Sequence, residues 1–99
     1  VPDDTPLPSR LALLAPSPNP LTSSTRLAFE LPGESGIRIE VYDVRGRRIG
    51  VLARSVYPAG RHEVVWNGCD DRGVRVARGM YYARMVVDGR SFVRRLTVL

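Results

Sequence analysis

From Thr25 onward, apolar and polar residues alternate along the chain. Leu27, Phe29 and Leu31 fall on one side of an extended backbone, and Arg26, Ala28 and Glu30 on the other. Pro32-Gly33 breaks the run, and Gly36 ends the turn region. Ile37, Ile39 and Val41 then point one way and Arg38 and Glu40 the other, which predicts a strand with one wet face. Asp43–Gly46 reads as a turn, with Asp43 bonding its own backbone and Gly46 taking a positive φ. In Arg47–Ala53 the apolar residues Ile49 and Leu52 are three apart, so a bulge or an early strand end is expected. After the turn at Pro58-Ala59-Gly60, His62, Val64 and Trp66 alternate with Arg61, Glu63 and Val65. Residues 67–79 read as a loop in which Val74 and Val76 pair briefly. Met80–Val87 is a strand with Tyr81, Ala83, Met85 and Val87 inward. Asp88-Gly89 is a two-residue hairpin signal, and Ser91–Leu99 returns with Leu96 and Val98 in the core. No window sustains a 3.6-residue period. The pattern predicts an all-β sandwich of about seven antiparallel strands in two sheets.

The first 20 residues behave differently. They hold Pro2, Pro6, Pro8, Pro16, Pro18 and Pro20, so the backbone there is stiff and extended. Residues 1–18 read as a proline-rich linker with a short lead-in strand anchored by Leu11, Leu13 and Leu14, and residues 19–99 as the domain. The chain begins at Val1 rather than Met and is read as a fragment or a mature form, so the lack of a leader says nothing about export. No apolar run approaches the ~20 residues of a membrane helix, and no membrane insertion is expected.

Composition narrows the chemistry. The formal net charge is +5, and every one of the 15 basic side chains is an arginine. Chemistry that needs a lysine amine is therefore excluded, including Schiff bases and Lys–Asn isopeptide cross-links. The arginines are scattered, and signatures of nucleic-acid-binding modules are missing, so no nucleic-acid partner is expected. The small clusters Arg45/Arg47/Arg48 and Arg94-Arg95 fit a solvated face that blunts edge strands. With Cys69 as the sole cysteine, no intrachain disulfide is possible, and its neighbouring carboxylates make it a poor nucleophile. His62 with Ser55 or Ser91 does not make a triad: there is no G-x-S-x-G, and His62 sits in mid-strand. Asn67, Asp70 and Asp71 lack the calcium-loop spacing and fit turn-capping roles. Trp66 and Tyr81 share faces with apolar residues and are expected in the core, which leaves Tyr82 as the best surface aromatic for a sugar ring. No enzyme activity, cofactor or metal is expected.

Five ordered stretches, PSPNP (16–20) with STRLAFELP (24–32), IRIEVYDVRGRRIGVL (37–52), PAGRHEVVWNGCDDRG (58–73), ARGMYYARM (77–85) and RRLTVL (94–99), together resemble a known module. The resemblance is to the Ig-like domain of the bacterial flagellar hook-capping protein, and equally to the C-terminal sorting domains of type IX secretion. It covers about residues 11–99 and implies an Ig-like or fibronectin-III-like sandwich. Within it Asn19, Pro20, Asp43, Gly46, Trp66, Gly68, Asp70, Gly73 and Gly79 fall at turns and strand ends and take scaffold roles. In the sorting modules the last strand is what the export machinery reads, usually with a basic residue before a short apolar end. That form assigns receptor recognition to Arg94, Arg95, Leu96 and Leu99, with arginine where lysine is more usual, and strand addition at an exposed edge as the docking mode. The implied function is a non-catalytic sorting or anchoring module of a secreted or cell-surface bacterial protein, with the secretion machinery or neighbouring domains of the same parent as partners. The proline-rich linker ahead of a chain that stops at its final strand favours a C-terminal appendage. The alternatives are a structural assembly module, hook-cap-like or a spacer beside a catalytic domain, and a carbohydrate-binding module.

Overall fold

The computed structural model describes residues 10–99; residues 1–9 of the expected linker, with Pro2, Pro6 and Pro8, lie outside the described residues. Seven strands follow one another: β1 (Ala12–Leu13), β2 (Thr25–Leu31), β3 (Ser35–Asp43), β4 (Arg48–Tyr57), β5 (Gly60–Trp66), β6 (Gly79–Val87) and β7 (Arg90–Val98). They form a three-stranded sheet, β1-β2-β5, and a four-stranded sheet, β4-β3-β6-β7, with every strand pair antiparallel.

The alternating apolar residues meet between the sheets. Leu27, Phe29 and Leu31 from β2, Ile37, Ile39 and Val41 from β3, Tyr81, Ala83, Met85 and Val87 from β6, and Leu96 and Val98 from β7 are all buried. Removing these side chains from water is the main stabilising term, at about 1.5–3 kcal/mol for each large one. Phe29 meets the Tyr57 ring edge-on at 5.2 Å, and His62 lies against both, so this histidine is a packed ring whose Nε2 lies 2.8 Å from the Pro58 carbonyl oxygen. Trp66 lies against Tyr81 and donates its indole N–H to the Cys69 carbonyl. Asp88 (φ 50°) and Gly89 (φ 73°) give the β6–β7 hairpin the positive dihedrals that a type I′ turn requires.

Two local expectations need correction. β4 does not end at Ala53 but runs to Tyr57, because the register slips at two points opposite β3, between Ile39/Glu40 and Val41/Tyr42, and pairing then resumes. The bulge that the Ile49/Leu52 spacing predicts is therefore present and leaves the strand intact. Ala28, on the side of Arg26 and Glu30, is buried too, since β2 is the middle strand of its sheet and a methyl group is easily covered by neighbours on both sides. Glu40 is only 4% exposed, although its alternation places it on the outer face. The reason is the set of side chains that closes over it, described below.

Candidate recognition surface

The turns are built as the sequence implies. The Asp43 carboxylate accepts from the backbone N–H groups of Arg45 (2.9 Å) and Arg47 (3.0 Å), and Gly46 donates back to the Asp43 carbonyl. These backbone bonds, with the Arg47 guanidinium, hold the Asp43 carboxyl below the usual carboxylate range. Asp70 repeats the device: it accepts from the Arg72 and Val74 N–H groups, Gly73 closes the turn onto its carbonyl, and its carboxyl is likewise lowered, chiefly by the Val74 bond. Both carboxylates are engaged with turn backbone, and no cluster of three metal-ligating side chains occurs among the described residues. Val74 and Val76 do pair, with Asp70 and Gly68, across an isolated Cys69–Arg75 bridge. Gly79 opens β6.

Sequence reasoning missed the residue that pins this loop. The Arg75 guanidinium donates to the carbonyls of Asn67 (2.7 Å), Ser23 (3.0 Å) and Thr22, tying the 67–79 loop to the β1–β2 connection. It sits where a side chain on residue 68 would be: a Cβ there would lie 2.3 Å from Arg75 Nη1, and Gly68 has φ 75°. Nothing local in the sequence marks one arginine among 15 for this role.

Each edge of the four-stranded sheet is covered over a short stretch by an Asx residue. At β4, Asp71 donates its N–H to the Ile49 carbonyl and accepts the Val51 N–H at 3.0 Å. At β7, Asn19 donates to the Arg95 carbonyl and accepts the Thr97 N–H, both at 2.9 Å. Leu21 then donates to the Thr97 carbonyl and accepts from the Leu99 N–H, forming a parallel bridge with Val98. Asn19-Pro20 thus leads the chain along the end of β7 rather than merely into β2.

This arrangement separates the four recognition candidates. Leu96 is fully buried. Arg94 turns toward the inner side of β7, where its Nε donates to the Leu13 carbonyl at 2.9 Å and joins the two sheets. Arg95 lies on the outer side, opposite Tyr82, and Leu99 is 60% exposed at the tip. The outward backbone groups near the end of β7 are already bonded to Asn19 and Leu21, so the C-terminal half of this edge is not open for strand addition.

Glu40 lies on the outer face of the same sheet. Its carboxylate accepts from the Tyr42 hydroxyl (2.7 Å) and Arg48 Nη1 (3.1 Å), and the Arg38 guanidinium forms an ion pair with it at 3.2 Å. Burial pushes the Glu40 carboxyl up, but the hydrogen bonds from Tyr42 and Arg48 and the two guanidinium charges outweigh it, so the group stays below its ordinary value. The same bond to Glu40 raises the Tyr42 hydroxyl. Trp66 and Tyr81 are buried, and Tyr82 is half-buried.

The family model of the FlgD Ig-like domain matches residues 17–91. The chain belongs to the FlgD Ig-like domain family. Solved structures share its fold. Dimeric latent PorU from Porphyromonas gingivalis is 22% identical with a TM-score of 0.69, over 90% of this chain and 9% of that one. FlgD from P. aeruginosa is 21% identical with a TM-score of 0.60, over 94% of this chain and 77% of that one. PorZ, an essential bacterial surface component of the type-IX secretion system of P. gingivalis, is 23% identical with a TM-score of 0.57, over 90% of this chain and 11% of that one. This FlgD-type domain therefore spans about a tenth of PorU or PorZ. No curated protein matches the chain significantly.

Proposed function

We propose that this FlgD-type Ig-like domain is a non-catalytic module of a larger secreted or cell-surface bacterial protein, and that it sorts or anchors that protein during export. The observation that carries this reading is the size relation: the same sandwich is a small part of two much larger P. gingivalis chains, one of them a surface component of type-IX secretion. The polar groups support a non-catalytic role. Asp43 and Asp70 hold turns, His62 is packed between rings, and Glu40 is closed over by its arginines.

Recognition would fall on the outer end of β7, through Arg95 and Leu99, while Arg94 and Leu96 keep the strand in place. The test is a reporter carrying this chain at its C-terminus, expressed in a bacterium with a type-IX system. Export is expected with the intact chain and lost without residues 94–99. Because that deletion also removes core residues, the substitutions Arg95→Ser and Leu99→Ser are the sharper variant, expected to cut export several-fold with the melting temperature unchanged. Undiminished export of both variants would reject the sorting role.

A structural assembly role is the second reading, favoured by the 77% of the P. aeruginosa FlgD chain that the match spans. Gene context separates the two: a stop codon after Leu99 favours sorting, and further domains favour assembly.

A further inference from the structure

The outer face of the four-stranded sheet carries most of the molecule's charge imbalance. Register places Arg38, Arg48, Arg54, Arg84 and Arg95 there, with Glu40 as the acidic residue among them. Five arginines and one glutamate leave +4 on one face of a chain whose net charge is +5. The opposite outer face, on β2 and β5, sets Arg26 and Arg61 against Glu30 and Glu63 and is neutral. Both Glu40 oxygens are taken by Tyr42, Arg38 and Arg48, although Arg84 is the residue directly opposite Glu40 on β6. Arg38 and Arg54 stand directly opposite each other, a like-charge pair that works against the sheet. Among the described residues, the side chains of Arg54, Arg84 and Arg95 have no hydrogen-bond or ion-pair partner. A local violation of this kind, with nothing inside the fold to offset it, is what a binding surface shows.

We propose that this face docks an acidic protein segment, whose carboxylates pair with Arg54, Arg84 and Arg95. The chemistry has a precedent on the face itself, where Arg38 and Arg48 already hold a carboxylate. The charges are spread over four strands and interleaved with Val51, Val86, Val93 and Tyr82, which matches an extended protein contact of arginine, tyrosine and aliphatic groups. Nucleic acid fits less well, because the Tyr42 hydroxyl is spent on Glu40, both tyrosines are half-buried, and no exposed ring offers a stacking platform. The proposal does not depend on whether the domain sorts or assembles its parent.

The test is binding of a fluorescent 20-residue poly-L-glutamate peptide to the 99-residue chain at low salt, beside a 20-base-pair DNA duplex. Peptide binding is expected to weaken about fivefold or more in the Arg54→Ser, Arg84→Ser variant and to fall as salt rises. The control variant Arg26→Ser, Arg72→Ser removes equal charge elsewhere and is expected to stay within about twofold of the parent. Amide shifts of the unsubstituted chain on adding peptide are expected along the outward residues of β3, β4 and β6. No peptide binding, equal losses in both variants, shifts confined to β2 and β5, or tighter binding of the duplex would each overturn the proposal.

Discussion

Glu40 holds together the outer side of β3. Its carboxylate is nearly closed off from water yet stays charged, because the Tyr42 hydroxyl and the Arg48 guanidinium bond it and the Arg38 guanidinium pairs with it as an ion. Replacing it by Gln keeps the shape but removes the charge, and a charged hydrogen-bond set of this kind is worth about 1.5–3 kcal/mol. A loss of that order is expected for Glu40→Gln in urea unfolding at pH 7. The sign of the pH dependence follows from the depressed folded-state value: the stabilisation is present above the unfolded carboxyl range, about pH 4, and disappears as pH falls through the lower folded value. The urea midpoint of the parent should therefore drop as the pH falls below about 5, with the Glu40→Gln variant dropping less steeply. Asp43 and Asp70 act with the same sign, so the variant keeps part of the slope. Sequence alternation finds the position of Glu40 on the outer face but not its burial, because the covering groups lie at different distances along the chain: Arg38 and Tyr42 two residues away, Arg48 eight.

At the level of elements, alternation reads the strands well where one face is buried, since a one-residue slip would move every side chain to the wrong side. β2, β3, β6 and β7 follow it. β4 obeys it less because its two register shifts each reset the phase. Edge covering is less legible still. Asn19 and Asp71 perform the same task at opposite edges of one sheet, one from the β1–β2 connection and one from the β5–β6 loop. The covering of β7 can be checked through Asn19→Ala. The Arg95 carbonyl and the Thr97 N–H lose their partner, the cost is about 1 kcal/mol, and hydrogen exchange at the Thr97 amide should accelerate while that at Ala83 in mid-sheet stays close to the parent. Exchange at Thr97 equal to the parent would mean that the edge is protected without Asn19.

For the molecule as a whole, the proline-rich start belongs to the fold from at least Leu13 onward. Leu13 and Leu21 are both buried, Arg94 reaches across to the Leu13 carbonyl, and residues 19–21 run along β7. A chain beginning at Thr22 loses two core leucines, worth about 1.5–3 kcal/mol each, against a typical stability of 5–15 kcal/mol. It also bares the end of β7 as an unpaired edge. Such a truncation should melt far below the parent and aggregate in light scattering. By itself the sequence determined the strands, their inward faces, the turn at Asp43, the Asp88-Gly89 hairpin and the family-like order of motifs, because each depends on residues within a few positions of one another. Only the tertiary structure decided which strands share a sheet, which arginine pins the long loop, why a glutamate on the outside is buried, and how charge collects on one face. Those outcomes join residues tens of positions apart, and a strand's own period carries no information about its neighbours across the fold.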